Sequence, residues 1–397
     1  MNAETILKQI TSDQQQEGLS GFSIAQAIDN LLVILNKREQ EVVKSRFGLG
    51  GSNKSTLEAI GKKHQLTRER VRQIETSSVA KLKKAKESEV TLNLLRQLLV
   101  GLAEEHSGVM DKQYFFDLLF QLSTDTSNLS KEAHGRYADF ALTKLLDDSF
   151  AAIKNNQYFS NSIRLLSCDL AKMESVAEEL VAHIKSLRKL LLTEEILDLI
   201  IDLESYKNNT EFLSPTSKID FKELLARVVP DYSDKIYANR HLYNLLQTLD
   251  ELEQNRFFAW GHKKWREVSP KTINDKIYLV LKNEGKPMYY GDIAKKIAEM
   301  GFDAKDVNVA TTHNELILDD KYVLVGRGLY GLKEWGYQSG TVTEVISAIL
   351  TELGPLTKEE IVEKVSKQRL VKQTTVNLAL MNKLRFRKND GRYELVK

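Results

Sequence analysis

Residues 311–332 recur, at a constant offset of 63, in residues 374–395. Thr311-Thr312-His313-Asn314 matches Thr374-Thr375-Val376-Asn377, and Gly328-Leu329-Tyr330-Gly331-Leu332 matches Gly391-Arg392-Tyr393-Glu394-Leu395. A repeat of this period marks one supersecondary unit used twice, which constrains the fold more than composition can. Each copy follows a Gly/Pro turn (Gly285–Pro287, then Gly354–Pro355) and an apolar-periodic helix. Each closes on a strand, a tight glycine turn and a second strand. The strands are expected at Tyr322–Val325 and Leu329–Leu332 around Gly326-Arg327-Gly328, then at Leu384–Arg387 and Arg392–Leu395 around Asn389-Asp390-Gly391. Asp-Gly is a strong hairpin signal. Helices followed by a β-hairpin make a winged helix, so the repeat predicts two tandem winged-helix units, at 258–338 and 339–397.

Upstream, helical periodicity prevails. Residues 1–35 read as a helical lead-in with Ile24, Ile28, Leu31 and Leu32 on one face. From 88 to 257 the pattern predicts a helical middle domain. Between them, three cap signals predict three helices. Asn36 with Glu39 opens one that runs to about Arg46, where Gly48, Gly50 and Gly51 break it. Ser55 with Glu58 opens a short helix ending near Lys63, and Thr67 caps a third running to about Lys84. The fold class expected is mainly α.

Charge is segregated along the chain. Residues 36–87 hold 14 Lys/Arg against 6 Asp/Glu, whereas residues 88–270 hold 21 against 28. A compact basic segment is the footprint of phosphate-backbone binding, and an acidic stretch is a poor partner for DNA. In the third helix Val71, Ile74 and Leu82 share one side. Arg68, Glu69, Arg72 and Gln73 share the other, and Arg70 lies beside them. Arg can pair bidentately with guanine, Gln with adenine, and Glu can accept from cytosine N4. Lys81 and Lys84, with Lys83 and Lys86, extend the charge where backbone contacts would fall.

These residues strongly resemble region 4 of primary bacterial sigma factors. The match is carried by Arg38-Glu39, Val43, Arg46-Phe47-Gly48-Leu49, Thr56-Leu57-Glu58, Ile60-Gly61 and the run from Thr67 through Glu75. The resemblance implies that Arg68, Glu69 and Gln73 contact −35 promoter bases, that Arg72 grips phosphate, and that the first half of the module docks on the RNA polymerase flap. About 33 residues precede the module. They are too few for a promoter-melting domain, so a complete sigma factor is not expected.

A second resemblance covers 258–337. Trp260-Gly261-His262, Trp265, Ser269-Pro270-Lys271, the Thr311–Leu316 run and the Val325–Leu332 run look like a HARE-type winged helix, a family inferred to bind DNA or polymerase. Together the two resemblances match bacterial sigma factor-like helix-turn-helix proteins. Arg327 at the wing tip is a candidate phosphate or minor-groove contact.

Other chemistry is weakly represented. The single cysteine, Cys168, reads as a small buried hydrophobe, and His241, His262 and His313 lack metal-ligand spacing. Gly326-x-Gly328 is a wing turn without the lysine of a phosphate loop. Asp202, Glu204 and Lys207 are the nearest approach to a nuclease cluster, and they lie in a helical pattern. No catalytic residue, cofactor or metal is therefore expected. No apolar run reaches the roughly 18 residues of a membrane span. The sequence predicts a cytoplasmic, nucleoid-associated regulator that binds promoter-like double-stranded DNA. The first alternative is a delta-like accessory subunit docked on RNA polymerase core, and the second a nuclease of defence or mobile-element origin.

Overall fold

The computed structural model describes residues 23–123, 129–154, 156–214, 222–303 and 307–396. The first part of the predicted lead-in, residues 1–22, lies outside them. The chain forms two compact units, residues 1–254 with 258–263 and residues 255–257 with 264–397.

The described part of the first unit opens with α1 (Ile24–Leu32), α2 (Lys37–Phe47), α3 (Leu57–His64) and α4 (Arg68–Lys84). Asn36 and Glu39 form the expected reciprocal capping box on α2, and Thr67 caps α4. The cap of α3 is Thr56, one residue later than predicted. That phase places Ile60 inward, where it packs with Val42 and Val71 as the centre of the module. Gln65, in the left-handed region, ends α3 by returning its N–H to the Gly61 carbonyl. Gly61 is required at this turn, because a Cβ there would sit 2.6 Å from the Leu66 carbonyl oxygen.

Next come α5 (Lys86–Glu104), β1 (Val109–Asp111), α6 (Lys112–Leu122), α7 (Lys131–Phe140), β2 (Phe150–Ala152) and β3 (Ser162–Leu165). They are followed by α8 (Leu170–Leu187), β4 (Leu191–Leu192) and α9 (Thr193–Asp202), then by four short helices: α10 (Glu204–Lys207), α11 (Thr210–Leu213), α12 (Lys222–Val228) and α13 (Asp234–Ala238). The unit ends with α14 (Arg240–Thr248), β5 (Leu252–Gln254) and β6 (Ala259–His262). The middle span is mainly helical as predicted, but it also holds two antiparallel sheets, ordered β1-β3-β2 and β4-β6-β5.

The second unit contains α15 (Ile273–Glu284), β7 (Met288–Tyr289), α16 (Tyr290–Met300), α17 (Val309–Leu318), β8 (Tyr322–Gly326) and β9 (Leu329–Leu332). It continues with α18 (Val342–Leu353), β10 (Leu356–Thr357), α19 (Lys358–Gln368), α20 (Gln373–Leu380), β11 (Phe386–Asn389) and β12 (Arg392–Leu395). The first strand of the second hairpin, β11, lies two residues later than predicted, which leaves Asp390 and Gly391 as a two-residue turn at φ 44° and 82°. Both angles are those of the twisted turn that Asp-Gly favours. The sheet orders are β7-β9-β8 and β10-β12-β11.

The repeat seen twice in sequence is thus built four times. Each copy runs helix, strand, helix, third helix and hairpin, and each pairs its first strand with its last. Each of the two C-terminal copies has its own apolar centre. Ile277, Val280, Leu281, Ile293, Ile297 and Leu316 fill one, and Ile346, Ile349, Leu350, Ile361, Val365 and Val376 fill the other.

Candidate nucleic-acid interface

The capping threonine sets the start of α4, and with it the phase of every side chain that follows. Thr67 Oγ1 accepts from the Arg70 N–H at 3.2 Å, and Val71 and Leu82 are fully buried beneath. On the other face Arg68, Glu69, Arg70, Arg72 and Gln73 are all exposed, side by side over the first turns. The helix therefore presents its N-terminal end as a polar surface on a fixed apolar base. Glu69 and Arg72 form a two-pronged pair, with Arg72 Nε and Nη2 donating at 2.9 and 2.7 Å. Arg72 holds the Glu69 carboxyl below its usual range, and Glu69 in turn raises the Arg72 guanidinium. Arg70 reaches Gln73 Oε1 at 3.2 Å. Arg68 has no hydrogen-bond or ion-pair partner among the described residues, so its five donors remain available. Exposed pairs of this kind are cheaply exchanged for other partners.

The cations expected at the far end divide into two sorts. Lys81 reaches Glu39 at 3.2 Å and Lys83 pairs with Asp147, whereas Lys84 is exposed and has no ion-pair partner among the described residues. Lys83, Lys84, Lys86 and Arg96 line one groove of about 310 Å³ with Glu89 and Asp148. Arg96, which the sequence reading did not single out, donates to Asp148 at 2.6 Å. Its arrival there depends on the sharp bend at Ala85 between α4 and α5, which no local signal announces. A second basic cleft, lined by Lys54, Lys112, Lys131 and Arg136, is largely neutralised from within. Asp139 holds both Lys54 and Lys112 at 3.0 Å, and Asp117 holds Lys131 at 2.8 Å.

The sigma-like module is braced from behind. α7, the third helix of the first hairpin copy, packs on α1 and α2, with Phe140 against Phe47 at 4.7 Å between ring centres. Arg136 Nε donates to the Gly48 carbonyl at 2.8 Å. Tyr137 Oη accepts from the Gly50 N–H and donates to Asp29, both at 2.9 Å. Gly48 has no room for a side chain, since a Cβ would meet Arg136 at 2.7 Å.

Arg327 lies in the second unit, exposed on the turn between β8 and β9. The three histidines weighed as ligands are placed apart. His241 faces Tyr206 Oη at 3.1 Å, His313 faces Tyr330 Oη at 3.2 Å, and His262 is buried on β6. Among the described residues no group of His, Cys, Asp or Glu side chains is arranged to hold a metal ion. Trp260, on β6 of the first unit, is buried and donates to Thr193 Oγ1 at 3.0 Å. Lys207 pairs with Asp202 on the surface at 3.3 Å. No described helix is long and apolar enough to cross a membrane.

Residues 31–84 match the family "Sigma-70, region 4". The same segment is similar to three curated proteins. It is 46% identical over 70 residues to an RNA polymerase sigma factor RpoD of Helicobacter pylori, covering 17% of this chain and 10% of that one. The figures are 38% over 65 residues for the RNA polymerase sigma factor SigA of Lactococcus lactis subsp. cremoris, covering 16% and 18%. For the RNA polymerase principal sigma factor HrdD of Streptomyces viridifaciens they are 40% over 60 residues, covering 15% and 18%. The chain spans less than a fifth of the length of the relatives it matches.

Proposed function

We propose that this protein is a sequence-specific DNA-binding regulator of transcription, not an enzyme, that reads promoter-like duplex DNA through α4. The observation that carries this reading is the outward face of α4. Arg68, Glu69, Arg72 and Gln73 stand exposed over the first two turns of a capped, apolar-anchored helix, inside a segment of sigma region 4 type. A helix-turn-helix reads DNA with this part of its second helix. In this reading Arg68, Glu69 and Gln73 contact base edges, Arg72 exchanges Glu69 for a phosphate, and Lys84 adds a backbone contact. Arg70 and Lys81 support the positive field. The four helix–hairpin copies are read as winged helices, and Arg327 as a wing-tip contact to backbone or minor groove.

The alternative, docking of the first half of the module on polymerase, has less support. The apolar residues of α1 and α2 (Ile28, Leu31, Val42 and Val43) are buried, and α7 of the same chain packs on both helices. A pull-down of polymerase from nuclease-treated lysate separates the readings. Retention without any sequence-selective shift on duplex DNA would favour docking.

Arg68→Ala should weaken binding at the preferred site by roughly 1–3 kcal/mol and relax base preference there. Competition gel shifts on single-base variants measure this, and an equal loss on every sequence would exclude base reading by Arg68. Lys84→Ala should instead weaken binding evenly and reduce the slope of log K against log salt by about one. An unchanged slope would remove Lys84 from the interface.

A further inference from the structure

The third helices of the four copies have divided fates. α7 is turned inward onto the sigma-like module, as described above. α14 is also turned inward, with His241, Leu242, Tyr243, Asn244, Leu245 and Leu246 all buried. It packs on β1, where Asn244 Nδ2 donates to the Val109 and His106 carbonyls. In this chain, then, the third helix of a copy has twice served as a surface for protein.

The third helix of the last copy, α20, has the same apolar character without a cover. Leu378 is 73% exposed, Met381 74% and Leu384 88%. Leu378 lies in the last turn of α20, Met381 is its C-cap, and Leu384 follows in the turn before β11. At the offset of 63 Met381 matches Leu318, which is 78% exposed, but Leu378 and Leu384 match Glu315 and Lys321, so the full set belongs to the last copy. An apolar patch of this kind marks an interaction site. It is not built like a DNA reader. α4 carries Arg68, Arg70 and Arg72 on its outward face, whereas the outward face of α20 carries Gln373, Thr374, Thr375 and Leu378 and no cation. The cations stand around it. Residues 372–388 contain Lys372, Lys383, Arg385, Arg387 and Lys388 and no carboxylate. Lys383 and Arg385 are exposed and form no ion pair among the described residues.

We propose that the outer face of α20 docks an acidic amphipathic segment of a separate protein. Its apolar side chains cover Leu378, Met381 and Leu384, and its carboxylates meet Lys383, Arg385 and Lys372. Apolar anchors at helical spacing supply the affinity of such a contact, and the charged rim selects the partner. The preference is for an acidic segment, because a basic one would face Lys372, Lys383 and Arg385, whereas Arg387 is already paired with Glu394 at 2.7 Å.

The test uses the full chain and two fluorescein-labelled helical peptides, one with leucines at i, i+3, i+4 and i+7 among glutamates, the other with lysines replacing the glutamates. Fluorescence anisotropy should show the acidic peptide binding and the basic one at least about tenfold weaker. Leu378→Ser with Met381→Ser should weaken the acidic peptide by about tenfold or more, and so should Lys383→Glu with Arg385→Glu. Arg68→Ala should leave it unchanged. These side chains are exposed, so circular dichroism should match the parent. Equal binding of both peptides, binding of neither, or acidic binding that survives both double substitutions would overturn the proposal. So would loss of duplex DNA by Leu378→Ser with Met381→Ser as large as that of Arg68→Ala, since the face would then belong to DNA. Self-association of the chain that the same pair abolishes would assign the face to a second copy.

Discussion

Glu105→Ala should destabilise the first unit by roughly 3–5 kcal/mol, the range for stranding one member of a buried ion pair. The Glu105 side chain is wholly enclosed, and Arg240 Nε donates to its Oε2 at 2.5 Å. Arg240 is held on its other side by the Tyr237 carbonyl at 3.1 Å and by the Tyr237 ring at 5.0 Å, so it cannot leave for water cheaply. Removing the carboxylate leaves a positive charge beside His241 and His106. The chemical denaturation midpoint should fall with little change in its slope. A loss below about 1 kcal/mol would mean that Arg240 swings out and finds solvent. Replacing both partners, with Glu105→Gln and Arg240→Met, should recover much of the loss, because the cost lies in the uncompensated charge. The pair is also a joint. It ties α14 to the end of α5, and the copy that begins with α5 braces the sigma-like module through α7. Glu105→Ala should therefore lower DNA affinity only as far as it unfolds the unit, which separates it from Arg68→Ala in a folded protein.

What could be read from the sequence follows from the range of each interaction. The caps of α2 and α4 were legible because a cap is settled within four residues: Asn36 answers Glu39, and Thr67 answers Arg70. The cap of α3 was misplaced by one residue. Locally Ser55, with Glu58 three residues on, is the better cap, and the choice fell instead to Ile60, whose burial against Val42 and Val71 is tertiary. The two C-terminal copies were legible because nothing interrupts their offset and because Asp390-Gly391 signals its own turn. The two earlier copies were not. Their hairpins carry no tight glycine turn, with nine residues between β2 and β3 and four between β5 and β6, and their first strands are only three and two residues long. Their partners are remote in sequence, Val109 opposite Arg164 and Leu191 opposite Trp260. In the second copy the helices α10–α13 stand between the second and third helices of the repeat. The outward face of α4 could be read from periodicity, but not the pairing of Glu69 with Arg72, nor the bend at Ala85 that brings Arg96 beside Lys84. The exposure of Leu378 and Met381 was equally hidden, since an apolar residue at helical spacing normally reads as core.

The same polar core should make the first unit acid-labile well above the range in which carboxylates titrate. His106 is fully enclosed, and burial pushes its pKa down to about 4 despite the Leu102 carbonyl 2.8 Å from Nδ1. His241 is pushed down to about 3, first by burial and then by the positive charge of Arg240. Each is neutral in the folded unit at pH 5, whereas in the unfolded chain each titrates near the ordinary 6.5. Between these values the unfolded state binds more protons, so stability rises with pH. The contribution is complete above about pH 6.5 and is lost as pH falls toward the folded values. At pH 5 each histidine should have cost about 2 kcal/mol, or about 4 kcal/mol together, from the 1.36 kcal/mol that each pKa unit represents. Denaturation midpoints measured at pH 7.5 and pH 5 should differ accordingly. His241→Phe should lose about half of that difference, and so should His106→Leu, whatever either does to stability at pH 7.5. Carboxylates elsewhere add their own slope at lower pH, so the comparison of variant with parent carries the inference. A pH dependence identical in parent and both variants would show that these histidines take up protons as readily folded as unfolded. The core around Glu105 and Arg240 would then have to admit water, and the large loss expected for Glu105→Ala would shrink with it.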